Sequence, residues 1–268
     1  MRLLVLDGYD PDGRKALVDS GATEAGRLFQ RELARIAPDV TVDVAFAAED
    51  EPGIIAGYDG VVWTGSSLSV LDSSQPGVSN QIELARAVHD ARLPAFGSCW
   101  GAQVSAVAAG GSCRRSPKGR EFGVGRKITL NDVGRAHPMF RGRPDVFDVL
   151  TCHADEIEVL PDKSTLLASN DFSRVQGIEL GRCWAVQYHP EYDLNEIACL
   201  ARLRSGGLVA RGRFSDADAV AVWAGGLDSL HADPTQLELA AELQIPEALL
   251  DPDQRTLELR NWIESLRP

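Results

Sequence analysis

The chain of 268 residues lacks several things, and each absence narrows what it can be. There is no excess of basic residues: 27 Lys and Arg stand against 39 Asp and Glu, a formal net charge of −12. Diffuse acidity of that size argues against nucleic acid or an anionic membrane as a standing partner. There is no long apolar run. Leu3-Leu4-Val5-Leu6 gives way at once to Asp7-Gly8, which is too short for a signal peptide or a membrane span. The cysteines at 99, 113, 152, 183 and 199 are odd in number, form no Cys-x-x-Cys and meet no histidines at zinc-finger spacing. A disulfide framework and a structural zinc site are therefore not expected, nor is any other metal or a cofactor. No Gly-Lys-Ser/Thr marks a phosphate loop, and there is no internal repeat or low-complexity stretch. What is present describes a globular chain, 44% hydrophobic and 25% charged, expected in the cytoplasm with reduced thiols.

Leu3–Leu6 reads as a strand buried on both faces. Residues 7–21 read as a long polar loop, 24–36 as a helix ended by Pro38, and the alternation of Val40, Val42, Val44 and Phe46 as a half-buried strand near an edge. Asp59–Trp63 is a further buried strand, running into the turn Thr64-Gly65-Ser66-Ser67. Residues 72–80 read as a loop and 81–90 as a helix. Strand and helix signals alternating in this way predict a doubly wound, mostly parallel α/β sheet, with sites at the carboxyl ends of its strands. The loops after Leu6, Thr64 and Ser98 should then converge on one face.

Past Gly110-Gly111 the pattern changes. Strand signals over 127–130, 146–151, 165–169, 175–180 and 183–188 follow one another without helices, which predicts an antiparallel portion completing the sheet, closed by a helix over 194–203. Residues 205–268 read as a helical appendage packed on a main unit of residues 1–204, with no chemistry of its own. Val220, Trp223, Leu227 and Leu230 fall at helical spacing, as do Leu259, Ile263 and Leu266. Asp233-Pro234 and Asp251-Pro252 each read as a cap followed by Pro at the first helical position.

The chemistry centres on Gly97-Ser98-Cys99-Trp100-Gly101. A short apolar strand opened by Pro94 stops at this turn, and the small residues from Ala102 to Ala109 read as a tightly packed helix. That is the thiol version of a nucleophile elbow. The helix N-terminus offers free N–H groups and positive potential beside the sulfur, which favours thiolate. A nucleophilic thiol needs a base and a group that orients the base. Of the histidines at 89, 137, 153, 189 and 231, His189 ends a predicted core strand and is followed by Pro190-Glu191, whose carboxylate can turn back to fix the imidazole tautomer.

Together, Gly97-Ser98-Cys99-Trp100-Gly101-Ala102-Gln103 and His189-Pro190-Glu191 resemble the class I (triad) glutamine amidotransferases, and the 90 residues that separate 99 from 189 suit that family. Thr64-Gly65-Ser66-Ser67 is similar to its upstream oxyanion turn, Cys152-His153-Ala154-Asp155 to its Ser-His-Gly-Asp segment, and Gly119–Gly123 to its Gly-Glu-x-Gly turn. The resemblance spans roughly residues 1–205 and implies a flavodoxin-like fold. It implies that Cys99 attacks the side-chain amide of glutamine, that His189 moves the proton, and that Glu191 orients His189. Backbone N–H groups of Gly65 or Ser66 and of Trp100 would hold the oxyanion. Gln103, with Cys152, His153 and Ala154, would grip the glutamyl group.

Three functions follow from that resemblance. One is the ammonia-producing subunit of a two-component amidotransferase with a separate synthetase, and another is an autonomous hydrolase of γ-glutamyl amides. The third is a non-catalytic relative, against which the intact Cys99, His189 and Glu191 argue. Ala224-Gly225-Gly226-Leu227-Asp228-Ser229 is similar to the pyrophosphate loop of ATP pyrophosphatases, but Ala replaces its first Ser and the flanking spacing is helical. It is read as chance.

Overall fold

A computed structural model describes residues 1–267. Its strands are β1 (Arg2–Asp7), β2 (Thr41–Phe46), β3 (Gly60–Trp63), β4 (Ala95–Ser98), β5 (Ser112–Arg115), β6 (Glu121–Leu130), β7 (Val146–His153), β8 (Asp155–Val159), β9 (Ser164–Ser169), β10 (Gly177–Leu180) and β11 (Cys183–Val186). Its helices are α1 (Pro11–Asp19), α2 (Ala25–Ile36), α3 (Pro76–Asp90), α4 (Trp100–Ala108), α5 (Asp132–Ala136), α6 (Leu194–Leu203), α7 (Ser205–Ala210), α8 (Ala217–Ala232), α9 (Leu237–Glu242), α10 (Pro252–Arg255) and α11 (Leu257–Ser265).

Nine strands form one sheet in the order β2-β1-β3-β4-β11-β10-β9-β6-β7. From β2 to β11 neighbours are parallel; from β11 onward they are antiparallel. This is the doubly wound, flavodoxin-like sheet with an antiparallel portion. Leu4, Leu6, Val61 and Trp63 face α3 and α4, whereas Leu3, Val5, Val62 and Phe96 face α2 and α11. Successive residues of one strand thus feed opposite cores, as a strand covered on both sides requires.

The sheet curls. Three strands lie between β11 and β7 in the sheet order, yet the His189 N–H donates to the Leu150 carbonyl at 2.9 Å. The end of β7 is thereby folded back over the carboxyl ends of β4 and β11. β5 and β8 pair separately as a small antiparallel ribbon.

Several local expectations are corrected. Residues 7–21 hold a helix, α1, because Asp10 caps it by accepting from the Gly13 N–H at 2.9 Å and Pro11 occupies its first turn. α3 begins at Pro76, five residues before the expected start at 81, again with Pro in the first turn. Asp233-Pro234 starts no helix: Asp233 Oδ1 accepts from both the N–H and the hydroxyl of Thr235, closing a local turn. Residues 224–229 lie within the continuous α8, as their helical spacing required. At the far end of the chain, α11 buries Leu259, Trp262 and Ile263 under the sheet, with Trp262 against Phe96 at 6.1 Å between ring centroids.

Candidate active site

Cys99 stands between β4 and α4 with φ +50° and ψ −98°, a backbone state that costs a non-glycine residue on the order of 1–3 kcal/mol. Its surroundings hold it there. Cys99 N–H donates to the Val186 carbonyl at 2.8 Å, Gln103 N–H to the Cys99 carbonyl at 3.1 Å, and Gly101 N–H to the Thr64 carbonyl at 3.2 Å. The flanking glycines are required by close approach. A Cβ on Gly97 would lie 2.8 Å from the backbone carbon of Gly101, and one on Gly101 would lie 2.7 Å from the Trp63 carbonyl oxygen. Gln81 fixes Trp100 from behind, accepting from its indole N–H at 2.7 Å.

β11 pairs with β4 in register Val186 to Ser98, so the residues just beyond each strand meet. His189 Nδ1 lies 2.6 Å from Glu191 Oε1, both side chains buried. The carboxylate can only accept, so Nδ1 carries the proton and Nε2 is left as an acceptor. That Nε2 is buried and, among the described residues, has no hydrogen-bond partner. The imidazole lies flat on Tyr192, 3.8 Å between centroids with planes 2° apart. Ser98 Oγ sits 3.0 and 3.1 Å from the two Glu191 oxygens and 3.3 Å from His189 Nδ1, a second hydroxyl donor for the carboxylate.

Burial pushes the Cys99 thiol well above its ordinary range, with Cys152 and Glu191 acting in the same direction and Arg120 and the Trp100 N–H opposing them. The expectation of a preformed thiolate is therefore corrected. Loss of hydration outweighs the few donors at the start of α4. The resting sulfur is a thiol, 3.9 Å from the Cys152 carbonyl oxygen.

Above it opens a cleft lined by Ser66, Cys99, Trp100, Gln103, Cys152, His153 and Ala154 among others. Gly65 stands behind it against His189: a Cβ there would lie 2.7 Å from Cε1 of the imidazole. Ser66 Oγ donates to the Gly8 carbonyl at 2.8 Å and fixes the turn. Gln103 donates to the Asp155 carbonyl at 2.9 Å and to Gln187 Oε1 at 3.2 Å. His153 is held at both nitrogens, by the Asp155 carbonyl at 2.9 Å and by Glu121 Oε2 at 2.8 Å. Burial alone would raise the Glu121 carboxyl, but His153, Asn170 and Gln176 reverse the effect and hold it below its ordinary value. His89, His137 and His231 stand elsewhere, on α3, at the turn before Pro138 and on α8. All ten residues singled out in the sequence thus line the cleft or stand directly behind it.

The sequence pattern of glutamine amidotransferase class-I proteins matches residues 21–198. The chain belongs to the class I glutamine amidotransferase family. It is an enzyme of the cysteine-dependent amidohydrolase type that the family comprises. It is similar to a γ-glutamyl-L-1-hydroxyisopropylamide hydrolase from a Pseudomonas species, 29% identical over 99% of this chain and 93% of that protein. It is also similar to a glutamine-hydrolysing GMP synthase from Symbiobacterium thermophilum, 30% identical over 51% of this chain but only 25% of that relative. A glutamine amidotransferase structure from Thermotoga maritima shares the fold, with a TM-score of 0.62 at 18% identity over 99% of this chain and 97% of that one.

Sequence reasoning passed over four residues of this amidotransferase site. Ser98 lies within the Gly97–Gly101 turn and Tyr192 directly follows Glu191, and those positions were the available signal. Arg120 and Arg204 line the cleft as well. Arg120 stood within a quoted motif without a role, and Arg204, at the junction of α6 and α7, belongs to no motif.

Proposed function

We propose that the chain is an autonomous hydrolase of γ-glutamyl amides that works through a γ-glutamyl thioester on Cys99. The observation that carries this reading is the His189–Glu191 pair beside Cys99, with Nδ1 committed to the carboxylate at 2.6 Å and Nε2 buried and free to accept. As substrate enters, the Cys99 proton passes to His189 Nε2 and the sulfur bonds to the δ-carbon of the γ-glutamyl group. Glu191, accepting from Nδ1, stabilises the imidazolium that forms. Because burial holds the resting thiol up, this transfer belongs to the reaction itself. The carbonyl oxygen becomes an oxyanion held by backbone N–H groups of Gly65 or Ser66 and of Trp100, each such donor being worth about 10²–10³ in rate in comparable sites. The C–N bond breaks as the amine takes the proton from His189. Water then gives its proton to the same nitrogen, its oxygen attacks the thioester, and glutamate and the thiol are released. Gln103, with backbone about Cys152, His153 and Ala154, grips the glutamyl half.

Autonomy is favoured by similarity to a γ-glutamyl amide hydrolase along nearly the whole of both chains, including the helices after residue 204. We take residues 1–204 as the amidotransferase-like unit and 205–268 as a helical extension upon it. Five free cysteines fit a reducing, cytoplasmic setting. The second reading, a glutaminase subunit serving a separate synthetase, draws on the similarity to GMP synthases. Glutamate release from glutamine and from a panel of γ-glutamyl alkylamides, by the chain alone, separates the two. The hydrolase reading expects turnover of at least one alkylamide unaided. Turnover of glutamine only, and only with a partner enzyme added, would overturn it. Cys99→Ala should abolish release while the protein stays folded, and retained activity would remove the thioester mechanism.

A further inference from the structure

The cleft is cationic in a protein that is acidic as a whole. Arg115, Arg120 and Arg204 all line it, next to Cys99 and Cys152. Arg115 is already paired, 2.9 Å from Asp155, and its neighbour Arg114 is paired with Glu156 at 2.9 Å. Arg120 and Arg204 differ from them. Among the described residues neither has a carboxylate partner, although the chain carries 39 acidic side chains. Arg120 Nη1 donates to Cys152 Sγ at 3.7 Å, and Arg204 lies beside the same sulfur. Sulfur is a weak acceptor for even one guanidinium. Arg204 is half-buried, and among the described residues its Nε has no partner. The aromatic groups about it, Tyr9 and Tyr192, are themselves buried phenols whose hydroxyls burial holds firmly protonated, so they supply no counter-charge.

Half-buried guanidinium groups without an anion are costly, and two of them lining one cleft offer donors suited to an anion with two oxygens. They stand close to the reacting sulfur, since Cys152 presents its carbonyl to Cys99 Sγ at 3.9 Å.

We propose that Arg204 and Arg120 bind a carboxylate of the substrate and so select γ-glutamyl compounds that carry one at this distance from the scissile amide. The inference rests on the hydrolase reading given above. Two carboxylates have the required chemistry: the α-carboxylate of the γ-glutamyl half, or a carboxylate on the departing amine. Arg204, at the α6–α7 junction, stands beyond residues 21–198 that the family pattern matches, whereas Arg120 stands within them.

The test compares three substrates: γ-glutamyl-n-propylamide, its α-methyl ester, and γ-glutamylglycine. If the α-carboxylate is bound, the parent enzyme prefers the free acid over the ester, and Arg204→Gln and Arg120→Gln each cut that ratio by about tenfold to a hundredfold. The loss falls on KM more than on kcat, a split that a general structural defect would not produce. If the amine's carboxylate is bound, γ-glutamylglycine is preferred over the propylamide and the same variants erase that preference instead. Arg204→Lys, which keeps charge but loses the fork, stands in should Arg204→Gln fail to fold, and should show an intermediate ratio. Unchanged ratios for both substrate pairs in the Arg204 and Arg120 variants overturn the proposal and leave the hydrolase reading intact. If the parent hydrolyses none of the three, calorimetric titration with L-glutamate, its α-amide and glycine decides the pocket alone. Binding of either carboxylate amino acid but not of the amide, lost in the Arg204 variant, supports the anion site. Equal binding to parent and variant, or none to the parent, overturns it.

Discussion

Replacing Gly65 with alanine should displace His189 without unfolding the protein. The backbone at Gly65 is not in the left-handed region, so alanine is conformationally acceptable there, and the consequence lies in the added methyl. That methyl would stand 2.7 Å from His189 Cε1, but 3.6 and 3.7 Å from Nδ1 and Nε2, so it meets the ring at its Cε1 edge. Ordinary contact begins at 3.4 Å, and the imidazole must retreat by about 0.7 Å to reach it. Little room exists for that movement. Tyr192 covers one face at 3.8 Å, and Glu191 holds Nδ1 at 2.6 Å. A displacement approaching 1 Å at a reacting group costs about 10²-fold in rate, while overpacking of this kind costs about 1–3 kcal/mol in stability. The assay is kcat/KM for glutamate release from a γ-glutamyl alkylamide, with a thermal melt to show that the fold persists. Gly225→Ala is the control: nothing lies within 4 Å of its added methyl, which points away from α8 into open space. A Gly65→Ala enzyme within threefold of the parent would refute the placement of His189 as the working base.

Three further outcomes are expected. Because burial pushes the Cys99 thiol up, its alkylation by iodoacetamide should be slow at neutral pH and still climbing at pH 9, when followed by mass spectrometry of the labelled peptides; a plateau near neutrality would mean a preformed thiolate. A glutamine-mimicking electrophile should still label Cys99 ahead of Cys113, Cys152, Cys183 and Cys199, through placement rather than ionisation. Trp262→Ala removes a fully buried indole from beneath the sheet and should lower unfolding free energy by about 3–5 kcal/mol in urea titration; a change below about 1 kcal/mol would show that α11 is not part of the core.

The elements legible in the sequence were those with an apolar signature of their own. β1, β3 and β4 are each built on a short apolar run, and α6 falls on residues 194–203 as its pattern required. α1 escaped because it buries only Leu17 and so shows no periodic face; its start was written in Asp10-Pro11, the same signal that marks α10 at Asp251-Pro252. The ribbon of β5 and β8 escaped because Ser112–Arg115 contains one buried side chain, Cys113. At the site, Cys99, His189 and Glu191 were legible because the chemistry fixes both residue type and spacing. The ionisation of Cys99 was not, since it depends on how completely the surroundings exclude water, and that is a property of the assembled sheet. Arg120 and Arg204 were silent for a related reason: an unpaired arginine is recognised by the acids that are missing around it, and these are counted only in space.

The curl of the sheet bears on how the molecule comes into being. Cys99 is shaped by residues on β3, by Val186 at the end of β11, and by Cys152 at the folded-back end of β7. The residue before His189 is tied in turn to the last part of the chain, since the Tyr188 hydroxyl donates to Glu258 at 2.8 Å, and Arg143 grips the same carboxylate through two bonds of 2.8 Å. Segments made early and late in synthesis must therefore close together before sulfur and imidazole face one another. A partly folded chain therefore has no working thiol, and the onset of glutamate release during refolding is a direct clock for closure of the whole sheet.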